Sequence, residues 1–263
     1  MNSANTPLFS IITVTWNASA VLPVTLRSVA GQTCREYEHI VMDGNSSDGT
    51  PDIARKLGFP ELTRVWSEPD SGLYDAMNKA MERARGEYYI FLNAGDTFHS
   101  PDTLALIAEA IRSGGHPGVV YGQTDIVDSS RRRVADRHLI APEQLTLRSF
   151  ANGMVVCHQA FIVNSKVATP FDTSYRYSAD YEWCIRCLQH SRLNLYIPHT
   201  IIDYLMEGLS TAHRFASLRE RFAIMCRYYG VATTVGRHLL FLPRFIRRRR
   251  LEKKELSRLS TQK

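Results

Sequence analysis

Short apolar runs alternate with amphipathic stretches over the first 115 residues of the chain. Phe9-Ser-Ile-Ile-Thr-Val-Thr-Trp16 is β-branched and nearly continuous in apolar character, the pattern of a strand buried on both faces of a parallel sheet. The run stops at Asn17, and a helical spacing of Val21, Leu22, Leu26 and Val29 follows. Glu38-His-Ile-Val-Met-Asp43 reads as a second strand, closed by the turn-rich Gly44-Asn-Ser-Ser-Asp-Gly-Thr50, and Pro51 suits the first turn of the next helix. A strand near Thr63 to Ser67, a helix from about Gly72 to Arg85, a strand from Glu87 to Leu92 and a helix opened by Ser100-Pro101 continue the alternation. With right-handed crossovers this predicts an open, mostly parallel sheet whose ligands gather at the carboxyl ends of its strands. Beyond Gly118 the rhythm changes. Val119 to Val127 and Phe161 to Val163 read as later, partly antiparallel strands, with a polar turn at Arg131-Arg-Arg133; helices are expected over roughly Ala179 to Gln189 and Phe215 to Tyr229.

Polar residues sit where such a sheet holds its ligand. Asn17, Asp43, Asp70 and Asp96 all fall at or just after predicted strand ends, with Asp75 and Asn78 close by in the helix that follows Asp70. Asp43 can accept a hydrogen bond from a ligand such as the N–H of a uracil ring, or it can cap the turn that follows it. Asp96, behind an Ala-Gly bend, can reach a magnesium or manganese ion bridging two phosphates; the plainer reading is a cap ahead of Pro101. Asp180 opens a helix, where the N-terminal dipole stabilises a carboxylate suited to general-base work, although capping alone would also place an Asp there. Glu182, two positions on, should face away from it. His158 and Gln159 are candidate contacts to a sugar or acceptor, or satisfied core residues. His213 is a candidate diphosphate contact, or a solvated loop residue.

Composition adds exclusions. The chain is 44% hydrophobic and 22% charged, as globular proteins are, and no apolar run approaches the roughly 20 residues that cross a bilayer. The first residues lack the basic start and apolar core of a signal peptide, so a cytoplasmic protein is expected. Five scattered cysteines suit reduced thiols; Cys184 and Cys187 form a C-x-x-C in a helical pattern without a second ligand pair, which favours two buried helix thiols over zinc. The net charge of +6 is concentrated: residues 237–258 alone carry +7, leaving the rest at −1. The sequence pI near 9.1 is therefore a property of the tail. Leu239, Leu240, Leu242, Phe245 and Ile246, ahead of Arg247 to Arg250, make an apolar-then-basic segment suited to an anionic membrane surface, or else a solvated basic terminus.

Several ordered motifs carry a family resemblance. Phe9 to Asn17, Val41-Met-Asp-Gly-Asn-Ser-Ser-Asp-Gly-Thr50, Asp70-Ser-Gly-Leu-Tyr-Asp-Ala-Met-Asn-Lys79, Phe91-Leu-Asn-Ala-Gly-Asp96 and Ser178-Ala-Asp180 together resemble glycosyltransferase family 2, in particular bacterial enzymes of colanic acid and glycolipid synthesis, over about residues 8–213. The resemblance implies an α/β class and a Rossmann-like nucleotide-diphospho-sugar transferase domain of the A type, with a mixed, mostly parallel central sheet and C-terminal helices. It places a catalytic domain over 1–213, with a nucleotide half at about 8–115 and an acceptor half at about 116–213, and a basic helical segment over 214–263. Carried over residue by residue, Asp43 matches the carboxylate that reads the nucleotide base, Asp96 the last acidic residue of the metal-binding Asp-x-Asp region, and Asp180 the catalytic base. Thr15, Asn17, Asp70, Asp75, Asn78 and Asn93 fall in donor-binding motifs. Where many relatives have Asp-Ala-Asp-Asp, this chain has Asn93-Ala-Gly-Asp96, and the usual Glu-Asp pair at the base is Ala179-Asp180.

The expected activity is inverting transfer of a sugar from a nucleotide donor, UDP foremost, to a hydroxyl of a glycan or lipid-linked acceptor in cell-surface polysaccharide synthesis, with Mg2+ or Mn2+ as cofactor. The expected location is the inner face of the cytoplasmic membrane, held peripherally by the 237–258 segment. Two other classes compete: a donor-binding but inactive regulatory homologue, suggested by the missing carboxylates, and a basic nucleic-acid-binding protein. The last is disfavoured because the charge is confined to the tail. A Rossmann oxidoreductase is disfavoured too, since no Gly-x-Gly-x-x-Gly follows the first strand.

Overall fold

The structure is a computed structural model, and it describes residues 6–136, 139–206 and 214–240. Its first half alternates as the hydrophobic pattern requires: β1 (Phe9–Thr15), α1 (Leu22–Ala30), β2 (Tyr37–Asp43), α2 (Thr50–Leu57), β3 (Thr63–Ser67), α3 (Leu73–Arg83), β4 (Tyr88–Phe91), a two-residue β5 (Thr97–Phe98) and α4 (Thr103–Ser113). The second half comprises β6 (Val119–Val127), β7 (Arg133–Asp136), the one-turn α5 (Leu147–Phe150), a 3-10 turn at His158–Ala160, β8 (Phe161–Asn164), α6 (Ala179–His190), β9 (Asn194–Leu205) and α7 (Arg214–Tyr229). A further helical stretch covers 231–240.

The strands form one sheet in the order β3-β2-β1-β4-β8-β6-β9-β5, with β7 continuing the edge of β6 beyond β8. The four strands from β3 to β4 are parallel, β8 is antiparallel to β4 and β6, and β6 pairs in parallel with β9. Every residue of β1 and β2 is buried, the reason both read as near-continuous apolar runs. On one face α1 and α2 cover Val41 with Leu22, Leu26 and Ala54. The larger core joins β1, β2 and β4 to α3, α4 and α6, with Ile11, Ile90, Ile107, Met77 and Trp183 all essentially inaccessible.

β9 is the longest strand and has no counterpart among the expected elements. Tyr121 pairs with Tyr196 and Thr124 with Ile202, so β9 spends six steps where β6 spends three. The bulge absorbs Pro198, which has no N–H to donate to a regular ladder. β7 likewise falls where the Arg131–Arg133 turn ends, and β5 pairs only Thr97 with Asp203 and Phe98 with Ile202.

α7 is tied to the start of α6. Glu220 accepts from the backbone N–H groups of Arg176 (2.9 Å) and Tyr177 (2.8 Å), and the hydroxyls of Ser178 and Ser217 meet at 3.0 Å. Glu182 is 1% exposed; it takes two hydrogen bonds from Arg186 Nε and one, at 2.5 Å, from the Tyr228 hydroxyl of α7. It thus turns away from Asp180, as helix geometry requires. Cys184 and Cys187 are buried and in no disulfide, and burial pushes Cys187 up to about 12. Removing one member of a buried ion pair leaves the other uncompensated. Glu182→Ala is therefore expected to lower the unfolding free energy by about 3 kcal/mol or more in urea titration; a loss under about 1 kcal/mol would show that this carboxylate does not hold α7 to α6.

Candidate active site

The carboxyl ends of β1, β2 and β3 converge on Asp43, which is wholly buried. Its Oδ1 accepts from Thr15 Oγ1 (2.9 Å) and Ser46 Oγ (2.6 Å), and its Oδ2 from the Ser46 N–H (2.9 Å) and Ser67 Oγ (2.7 Å). A carboxylate has about four lone-pair positions, and here all are filled. With these four bonds Asp43 ties three strand ends and the 44–50 loop together. Thr15 belongs to the same cluster. Asn17 adopts a left-handed conformation (φ 48°), its N–H donating to Ser46 Oγ and its Oδ1 accepting from the Ser47 N–H. These two contacts offset the cost of that backbone geometry. The preceding Trp16 is 70% exposed.

The segment between β3 and α3 places Asp70 and Asp75. Asp70 Oδ1 accepts from the Gly72 N–H at 2.9 Å, in a turn that Gly72 enters at φ 132°. Asp75 accepts from the Ser71 N–H and pairs with Lys79 at 3.0 Å; the Ser71 hydrogen bond, more than the lysine, holds its carboxyl below the usual range. Asn78 is engaged within the fold. Its amide exchanges two hydrogen bonds with the Phe171 backbone, Nδ2 to the carbonyl at 3.0 Å and Oδ1 from the N–H at 2.7 Å, so it pins the 169–175 segment to α3.

Asp96 is 3% exposed. Oδ1 accepts from the Leu205 N–H and Oδ2 from Gln159 Nε2, both at 2.8 Å. Burial pushes its carboxyl up to about 7, against the opposing pull of those hydrogen bonds and of the Arg131 charge. Asn93 Oδ1 is buried with no hydrogen-bond partner. A hard divalent cation suits this donor chemistry, because it would complete the orphaned amide oxygen and favour the anionic form of Asp96. A second group, His99, Asp125 and Asp203, has its ligand atoms within 4.8 Å of one another. His99 is already bonded to Asp203 at 2.7 Å, and Asp125 to Arg133 at 3.1 Å.

Asp180 stands in the first turn of α6, and Tyr74 of α3 donates its hydroxyl to Oδ1 at 3.1 Å. Tyr74 stacks on Phe171, which stacks in turn on Trp183. His158 lies in the same aromatic cluster, face to face with Phe91 at 5.0 Å. Burial pushes its imidazole down to about 4, with the Asp180 charge a smaller opposing influence, and Nε2 has no partner. The two expected acceptor contacts therefore face inward instead of lining an open surface: His158 is packed under the Asp180 helix, and Gln159 donates to Asp96. Both come from one 3-10 turn. Residue His213 lies outside the described residues. Sequence reasoning passed over Tyr74, although Tyr74, Met77 and Ala80 show the spacing of a buried helix face that would aim its hydroxyl across at α6.

The raised Asp96 carboxyl makes stability depend on pH. The folded state holds this proton more tightly than the unfolded chain, so the stability it contributes is complete below about pH 4 and is lost as pH rises through about 7. Metal-free protein should lose stability across that window, and Asp96→Asn should flatten the profile. Adding Mn2+ at pH 8 should raise the melting temperature of the wild type and not of the variant. Superimposable wild-type and variant profiles, with and without metal, would contradict this picture of Asp96.

Comparison with known proteins identifies the arrangement. Residues 10–169 match the family model described as glycosyl transferase family 2. A "PGL/p-HBAD biosynthesis glycosyltransferase" of Mycobacterium bovis (strain BCG / Pasteur 1173P2) is 34% identical over 211 residues, covering 78% of this chain and 79% of that protein. Among solved structures, S. aureus TarS 1-349 in complex with UDP-GlcNAc superposes with a TM-score of 0.68 at 18% identity, over 89% of this chain and 73% of that one. The mannosyltransferase PcManGT from Pyrobaculum calidifontis, in complex with GDP-Man and Mn2+, gives 0.61 at 17% identity, over 90% and 75%. The sheet and its helices are the A-type glycosyltransferase fold, and the chain belongs to glycosyl transferase family 2 and is a glycosyltransferase.

Proposed function

We propose that the chain transfers a sugar, with inversion, from a UDP-sugar to a hydroxyl of a glycan or lipid-linked acceptor in cell-surface glycan synthesis. The observation that carries this reading is Asp180: a carboxylate at a helix N-terminus, with Oδ1 held by Tyr74 and no partner on Oδ2 among the described residues. That geometry suits a general base with one oxygen anchored and the other turned to substrate. As the acceptor oxygen bonds to the anomeric carbon, Asp180 takes its proton, and the bond from that carbon to the diphosphate oxygen breaks. Inversion follows from base and leaving group lying on opposite faces of the sugar, the logic by which inverting glycosidases activate water. Asp96 and Asn93 are the residues that would hold a divalent cation, which supplies charge stabilisation to the departing diphosphate. The UDP-GlcNAc and GDP-Man held by the two structural neighbours support a nucleoside diphosphate sugar as donor, and the mycobacterial relative's name, which gives it a place in PGL/p-HBAD biosynthesis, supports a biosynthetic glycosyl transfer.

Asp180→Asn should lower turnover by about 100-fold or more while donor binding stays within a few-fold of wild type. Wild-type turnover in that variant would remove Asp180 from the role of base.

The acceptor reading extends to the membrane surface. Among the described residues no helix is long and apolar enough to cross a bilayer. The C-terminal helices nevertheless leave Phe215, Leu218, Val231, Leu239 and Leu240 exposed, just ahead of the arginine run that lies outside the described residues. An apolar surface leading into a basic cluster suits peripheral binding to anionic lipid at the inner face of the cytoplasmic membrane. Vesicles rich in phosphatidylglycerol should retain the full-length chain and release one truncated before Gly236; equal retention of both would contradict it.

A further inference from the structure

Gly44 and Asp70 occupy one place. A Cβ at Gly44 would overlap Asp70 Oδ2 and lie 3.2 Å from its Cγ, so the carboxylate of a residue 26 positions later fills the space a side chain at 44 would take. The turn onto Gly72 fixes Oδ1, which leaves Oδ2 directed at Gly44 with no donor among the described residues. Trp16 lies on the same spot, its Cδ1 3.5 Å from the absent Cβ, and most of that indole is exposed. An exposed aromatic face beside an open carboxylate oxygen, just past the carboxyl ends of β1, β2 and β3, is the chemistry that receives a flat ring bearing an N–H. Asp43, one residue from Gly44, has no acceptor capacity left to do this.

We propose that Asp70, working over Gly44 and beside Trp16, is the residue that reads the donor's base, selecting a pyrimidine with an imide N–H, uracil or thymine, over cytosine. The inference rests on the nucleotide-donor reading above. A carboxylate accepts the N3–H of uracil and repels the bare N3 lone pair of cytosine, whereas the two rings are otherwise nearly isosteric. Asp43 is then a structural hub next to Gly44, the position that the reader Asp70 covers.

The test is calorimetric titration of UDP and CDP into the full chain with Mn2+ present. Wild type should prefer UDP, and Asp70→Asn should weaken UDP by about 10- to 100-fold while closing most of the gap to CDP, because an amide can turn to satisfy either ring. Gly44→Ala should mimic that loss without altering Asp70 itself, since the new methyl displaces a side-chain end and not backbone. The double variant Gly44→Asp with Asp70→Ala should recover the preference for UDP, the carboxylate having been returned to the same place from the other strand end. Circular dichroism melts establish that each variant is folded. UDP affinity and UDP-over-CDP preference unchanged in both Asp70→Asn and Gly44→Ala would overturn the assignment of Asp70 while leaving the donor reading intact. A wild type that binds no nucleoside diphosphate, UDP, CDP, GDP or dTDP, would overturn the donor reading and this inference with it.

Discussion

The carboxyl edge of the sheet depends on one buried carboxylate. Asp43 is inaccessible to water, and a polar group so placed is costly unless hydrogen-bonded. Satisfying it takes a hydroxyl from the end of β1, a hydroxyl from the end of β3, and both the hydroxyl and N–H of Ser46. Those four bonds set the three strand ends relative to one another. They also fix where the chain leaves each strand: Trp16 and the left-handed Asn17 after β1, Gly44 after β2, and the segment leading to Asp70 after β3. A donor cleft at this edge inherits its shape from that hub.

The other side of the cleft is assembled through contacts distant in sequence. The 3-10 turn at 158–160 faces two ways, with Gln159 donating to Asp96 and His158 packed among the aromatic rings beneath the Asp180 helix. Asp96 and Asp180, 84 positions apart in sequence, are thereby braced by adjacent side chains of one short element. The helix that carries Asp180 is supported again from behind, where Glu220 caps the turn before it and Glu182 joins Arg186 to Tyr228. Movement of α7 would therefore be felt at Asp180, the residue to which the proposed reaction assigns the role of base.

Much of the first half of the chain was legible because its physics is local. Strands buried on both faces become short β-branched runs, and β1 to β4 fall within a residue or so of the runs that announce them. The second half obeys longer-range rules. β9 contains Pro198 and exists as a strand because β6 offers it a bulged partner, and β5 is two residues long, too short to carry any period. The same limit governs the site. Aspartates at strand ends mark the right edge, but whether such a residue faces solvent or a ring of hydroxyls depends on Thr15 and Ser67, 28 and 24 positions from Asp43. Asn78 and Gln159 meet the same limit: an amide beside a cleft looks the same in sequence whether it meets a sugar, a backbone segment or a buried carboxylate, and their bonds to Phe171 and Asp96 span 93 and 63 positions.

In the proposed reaction a single base acts opposite the leaving diphosphate, and the stereochemistry of the product tests that directly. Proton NMR of the reaction as it proceeds, with a donor whose sugar is α-linked to the diphosphate, reads the anomeric coupling of the first product formed. A newly formed β-linkage is the result the geometry predicts. An α-linked first product would contradict it, because retention cannot come from one displacement with Asp180 as its only base.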